Sequence, residues 1–131
     1  MLKLGNIEAR LFYQHTGRLS ENILDREEPF VAWNTVIGEG SAEEPANDLL
    51  VLVTVLAGGE VFSDRALLVR IDGPDGKTLA GRRFASILTS GEGRAVMPVW
   101  VNDVGCAGDI AIHVRFGKQE TVERLSLPCG E

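Results

Sequence analysis

Cysteine and histidine are the side chains most suited to metal or redox chemistry, and this chain carries two of each. Cys106 and Cys129 stand far apart, whereas structural zinc sites take four ligands, usually from closely spaced pairs. Without a C-x-x-C pair, a thioredoxin-like redox function is not indicated either. The sequence therefore predicts no metal site and no bound cofactor.

A hairpin at the end of the chain gives the cysteines a structural interpretation. Gly117-Lys118 stands between two alternating stretches, and Gly at the first loop position suits a two-residue hairpin turn. Phe116 then faces Gln119, and counting outward brings Cys106 opposite Cys129, within the range of a disulfide. We expect the two cysteines to be neighbours; whether they are bonded depends on the compartment, because cytoplasmic thiols stay reduced.

His113 is the candidate for acid–base chemistry. It lies in DIAIHVRF (109–116), where alternation places Asp109, His113 and Arg115 on the face opposite the apolar residues. These three side chains are predicted to form a small polar cluster. The chain lacks the G-x-S-x-G and H-E-x-x-H patterns of nucleophilic and zinc hydrolases. We therefore favour a non-enzymatic function, with a small enzyme acting near His113 as the alternative.

Acidic residues are concentrated in the first half of the chain. The net charge is −6, and residues 27–64 hold eight acids without a Lys or Arg. Such a surface repels phosphate backbones, so nucleic-acid binding is disfavoured. We expect part of this segment to face a basic protein partner or a cation, with a Ca²⁺-dependent module as a further alternative. The residues proposed for this contact are Glu39, Glu43, Glu44 and Asp48.

Short alternating stretches separated by turn signals predict the fold. Strands are expected over 7–13, 29–38, 48–58, 66–72, 77–84, 94–101, 109–116 and 120–127. Ser20 is expected to cap one or two helical turns, and Trp33 and Trp100 to pack in the core. The pattern predicts one domain over 1–131: an antiparallel two-sheet β-sandwich of about seven or eight strands, Ig-like in pattern, with a jelly-roll or C2-like sandwich as alternatives.

The remaining expectations concern surroundings and partners. The sequence contains no run of 18 apolar residues, so no membrane span is predicted. The N-terminus does not resemble a signal peptide. A cytoplasmic protein is expected, or a periplasmic or secreted mature domain if the cysteines are bonded. We expect a non-catalytic binding or protein–protein interaction module. A homodimer would form through an edge strand, near Pro98 or at the N-terminus.

Overall fold

The computed structural model describes residues 2–25, 33–34, 46–104, 107–127 and 129–130. Twelve strands and one 3₁₀ turn lie within those ranges. They are β1 (Lys3–Tyr13), β2 (Arg18–Leu19), the 3₁₀ turn (Ile23–Asp25), β3 (Trp33–Asn34), β4 (Asp48–Leu56), β5 (Phe62–Ser63), β6 (Leu67–Asp72), β7 (Thr78–Phe84), β8 (Ile87–Leu88), β9 (Arg94–Val101), β10 (Gly108–Phe116), β11 (Gln119–Leu127) and β12 (Cys129–Gly130).

Two four-stranded antiparallel sheets form a sandwich. The first has the order β2-β1-β4-β9 and the second the order β11-β10-β6-β7. Strands β1, β4, β6, β7, β9, β10 and β11 are each at least six residues long. The predicted antiparallel β-sandwich is confirmed. Two small pairs, β5 with β8 and β12 with β3, complete the described strands, and the β12–β3 pair is parallel.

Alternation decides which residues enter the core between the sheets. In β10 the side chains of Ile110, Ile112, Val114 and Phe116 are buried, and the intervening residues point outward. The central strand β4 is nearly continuous in apolar residues and is buried on both faces over much of its length. This matches the prediction from its uninterrupted apolar sequence.

Both predicted hairpins are present. The turn between β6 and β7 contains Gly76 at a φ of +80°, a conformation that glycine adopts without strain. The β10–β11 pair runs in one register from Gly108 facing Leu127 to Phe116 facing Gln119, as predicted.

The cysteines lie at the far end of that hairpin. Cys106 falls outside the described residues, and Cys129 begins β12, where it faces Trp33 in the parallel pair with β3. The facing of Cys106 and Cys129 therefore stays a prediction. The predicted strand over 29–38 is described only at Trp33–Asn34.

Ser20 does not cap a helix. The helical signal yields one 3₁₀ turn, Ile23–Asp25. The Ser20 hydroxyl instead accepts a hydrogen bond from the Leu11 amide at 2.8 Å. The expectation was wrong because the same small hydroxyl that caps a helix also serves a strand amide without a backbone partner.

Trp100 also departs from expectation, since its side chain is 47% exposed. It packs edge-on against Phe12, with ring centroids 5.7 Å apart. In β9 the residues 95, 97, 99 and 101 face the core, so Trp100 lies on the opposite face of the strand. Among the described residues, no helix is long and apolar enough to cross a membrane.

Candidate functional site

The outward face of the second sheet carries arginines on three neighbouring strands, β7, β6 and β10. Strand pairing places residues side by side in two rows, each running from β7 through β6 and β10 to β11. The first row is Arg83, Leu68, Arg115 and Glu120, and the second row is Gly81, Arg70, His113 and Val122. We call these eight residues the arginine face.

A groove of about 620 Å³ runs over the arginine face. Its size lies within the range of small-molecule sites. Gly81 contributes no side chain, which leaves space between Arg83 and its neighbours on β7. Leu68 and Val122 are 41% and 45% exposed, so the groove offers apolar contact beside charge.

Asp72 organises one end of this surface. Its Oδ2 accepts a charge-assisted hydrogen bond from Arg70 Nε at 3.1 Å and lies 3.4 Å from His113 Nε2. Its Oδ1 accepts a hydrogen bond from the Thr78 hydroxyl at 3.0 Å. The Asp72 side chain is only 15% exposed. The carboxylate therefore fixes the positions of Arg70 and His113 at the edge of the groove.

The other arginines are held less tightly. Arg115 Nε lies 3.6 Å from Glu120 Oε1, and both side chains are more than 60% exposed, so solvent screens the pair. Arg83 has no ion pair or side-chain hydrogen bond with any residue that the structure describes. Two guanidinium groups are thus available to a ligand, and guanidinium binds carboxylates through two parallel hydrogen bonds.

The structure separates the three residues predicted as a polar cluster. His113 and Arg115 both line the groove, whereas Asp109 lines a different depression beside Pro74 and Arg124. Four residues of extended strand separate Asp109 from His113, about 13 Å. The carboxylate beside His113 is Asp72.

Sequence reasoning missed Asp72 because the contact depends on the pairing of β6 with β10. In that pair Arg70 faces His113 and Asp72 faces Ala111. No hairpin joins these strands, so nothing in the sequence gives their register. Alternation alone places Arg70 and Asp72 on the outward face of β6.

The acidic segment is described only at its end. Glu39, Glu43 and Glu44 lie outside the described residues. Asp48 begins β4, and its Oδ1 accepts a hydrogen bond from the Asp103 amide at 3.0 Å. In the part of the chain that the structure describes, no group of three or more His, Cys, Asp or Glu side chains is placed to hold a metal ion.

Similarity to known proteins is found in the solved structures and not in sequence. No protein-family model matches the chain, and no curated protein matches it in sequence. Among solved structures, the chain is similar to a crystal structure of the C-terminal domain of Wzt, with 14% identity and a TM-score of 0.45. That match covers 96% of this chain and 68% of the other.

Proposed function

We propose that this chain is a non-catalytic binding module that uses the arginine face to hold an acidic segment of a partner protein. The observation that carries the proposal is the row of Arg83, Leu68, Arg115 and Glu120 across four strands. In this row Arg83 and Arg115 lie one on each side of the exposed Leu68, although the net charge of the chain is −6.

Chemistry and rigidity both favour an extended acidic ligand. The other face of β10 is buried in the core, and β7 is held next to Arg83 by the buried Phe84, so both backbones are fixed before a ligand arrives. Facing positions on neighbouring strands are about 5 Å apart, which places Arg83 and Arg115 about 10 Å apart across β6. In a polyproline II segment, carboxylates three residues apart lie on one face with a similar spacing of about 9 Å. Leu68 would contact the apolar part of the peptide between them.

An enzyme acting near His113 is the alternative, and the contact between His113 and Asp72 is the observation that favours it. A carboxylate beside an imidazole orients the ring for proton transfer. The groove lining holds no Ser or Cys among its described residues. Of its two threonines, Thr78 already donates its hydroxyl to Asp72, and Thr121 faces the buried Val114 in the strand pairing.

His113→Gln separates the proposals. An enzyme would lose turnover by roughly 100-fold or more, whereas the binding proposal places the ionic contacts on Arg83 and Arg115 and expects a smaller loss of affinity than in Arg83→Gln.

The acidic segment is proposed as a second, independent contact. Glu39, Glu43, Glu44 and Asp48 would face a basic partner or a cation. Charge reversal at Glu39, Glu43 and Glu44 would abolish that contact while leaving the arginine face intact, so the two contacts can be separated by mutation.

Fluorescence anisotropy with a labelled ten-residue glutamate peptide tests the arginine face. We expect saturable binding that weakens with salt. Arg83→Gln should raise the dissociation constant about 1.5- to 5-fold, the contribution of one solvent-exposed ionic contact. Arg94→Gln is the matched control, because Arg94 is also exposed but lies on β9 of the other sheet.

Two results would contradict the proposal. One is the absence of glutamate-peptide binding at low salt. The other is an equal loss of affinity in Arg83→Gln and Arg94→Gln, which would indicate diffuse attraction and no defined site. A ten-residue lysine peptide serves as the counter-probe, and the proposal requires that Arg83→Gln leave its binding unchanged.

A further inference from the structure

The two four-stranded sheets have four edges in the part of the chain that the structure describes, and β9 forms one that is closed to strand addition. At its centre Pro98 has no amide to donate. The Pro98 carbonyl accepts a hydrogen bond from Arg82 Nη1 at 3.0 Å. Neither backbone group of Pro98 is left for an incoming strand, so this edge is unsuited to the dimer that the sequence suggested near Pro98.

The β1 edge is closed by side chains. The Leu11 amide donates to Ser20 Oγ at 2.8 Å, and the Ala9 amide donates to Asn22 Oδ1 at 2.9 Å. Further along, the Leu4 amide donates to Gln119 Oε1 at 2.8 Å. An added strand would have to displace all three acceptors, which disfavours pairing at the N-terminal strand.

The β7 edge lies beside β9, where the two sheets approach each other. Arg82 of β7 spans this gap to the Pro98 carbonyl and also stacks over Phe84, with the guanidinium carbon 4.4 Å from the ring centroid. A strand adding to β7 would collide with this bridge.

Along Glu120–Ser126, no strand that the structure describes pairs with the outer edge of β11. In a two-residue hairpin the closing pair is hydrogen-bonded, so Phe116 and Gln119 exchange two backbone hydrogen bonds. From Gln119 onward, every second residue of β11 bonds to β10, and the residues between them point their N–H and C=O groups away from β10. The outward residues are Glu120, Val122, Arg124 and Ser126. Within the described part of the chain, none of their amides or carbonyls has a side-chain partner.

We propose that β11 pairs antiparallel with β11 of a second copy, with Val122 on the two-fold axis. In this register Glu120 of each copy faces Arg124 of the other, on the outward face. About six backbone hydrogen bonds would form between the two Glu120–Arg124 pairs and the central Val122 pair. Val122 is 45% exposed in the single chain and would become covered.

Charge selects this register over its neighbours. A shift of the second copy by two residues in one direction would place Glu123 of one copy opposite Glu123 of the other. Sliding it by two in the other direction sets Lys118 against Arg124. Like charges facing each other across a ladder are destabilising, whereas opposite charges stabilise it. Charged residues on edge strands usually prevent pairing, and here they allow a single alignment.

The pairing would join two four-stranded sheets into one and set two arginine faces side by side. Arg124 of the second copy would also compete for Glu120, which is the weak partner of Arg115 at 3.6 Å in the single chain. The dimer would therefore leave Arg115 freer to bind an acidic ligand. The dimer itself does not depend on the proposed ligand, since it rests on β11 alone.

Sedimentation equilibrium of the full chain between about 5 and 500 μM tests the inference. We expect a reversible shift toward twice the chain mass of 14.2 kDa. Arg124→Glu should weaken association about 10-fold or more, and the swap Glu120→Arg with Arg124→Glu should restore it to within about threefold. A chain that stays monomeric throughout this range overturns the proposal.

Disulfide trapping checks the register. Val122→Cys should cross-link under mild oxidation, because facing hydrogen-bonded residues have Cα atoms about 5.5 Å apart. Glu120→Cys is the matched control, since its two copies would lie about 14 Å apart. The unmodified chain controls for Cys106 and Cys129. A dimer in which Val122→Cys cross-links no faster than Glu120→Cys, with circular dichroism unchanged, contradicts the pairing.

Discussion

The Ser20 hydroxyl closes the β1 edge, and Ser20→Ala measures what that closure contributes to stability. Ser20 is 7% exposed; its Oγ accepts from the Leu11 amide at 2.8 Å and donates to the Glu21 carbonyl at 2.7 Å. Removing the hydroxyl leaves a buried amide without its acceptor, which costs about 1–3 kcal/mol. The Glu21 carbonyl belongs to an exposed residue and can bond to water. We expect a loss of about 2 kcal/mol in the free energy of unfolding.

For a chain of 131 residues the average entropy of unfolding converts this loss to a fall of about 7 °C in Tm. Urea denaturation followed by tryptophan fluorescence should show a lower midpoint with an unchanged m value. Ser63→Ala is the control, because the Ser63 hydroxyl accepts a bond from the exposed Arg65 amide at 3.2 Å, which water can replace. A Ser20→Ala variant within about 0.5 kcal/mol of the parent would refute the capping of β1.

Two further predictions concern the stability of a turn and the affinity of the arginine face. Gly93→Ala should destabilise by about 3 kcal/mol or more, because Gly93 has a φ of +81° and an added Cβ would lie 2.0 Å from the Ala57 carbonyl oxygen. Gly91→Ala, where nothing lies within 4 Å of the added Cβ, should change the urea midpoint little. Asp72→Asn removes the negative charge beside Arg70 and should tighten binding of the glutamate peptide about 2- to 5-fold in the anisotropy assay. Weaker binding by Asp72→Asn would show that holding Arg70 in position contributes more to affinity than removing the negative charge of Asp72.

Local sequence signals are sufficient to predict most of the strands. The β9 bounds, Arg94–Val101, match the predicted 94–101, and β10 and β11 match to within one residue at each end. Alternating apolar residues and glycine-containing turns are local features, so they can be recognised in the sequence without knowledge of the fold. The position of Pro98 on an edge strand was also predictable, because proline cannot donate to a ladder.

Contacts between strands distant in sequence were not predictable. The arginine face forms because β6 pairs with β10, and this pairing joins Arg70 to His113 without a hairpin to set the register. Trp100 was misplaced because both faces of β9 are largely apolar, so alternation does not tell which one is buried. Ser20 was misread because a helix cap and a strand cap use the same hydroxyl.

The most direct test of the binding face is a ¹⁵N-HSQC titration of the full chain with the ten-residue glutamate peptide. The proposal predicts that the largest shift changes fall on amides of Leu68, Arg83 and Arg115 and on the neighbouring positions of the same two rows. The amide resonances around Trp100, on the outward face of the other sheet, should keep their chemical shifts. Shift changes concentrated around Trp100, or none at saturating peptide, would contradict the assignment of the arginine face as the binding surface.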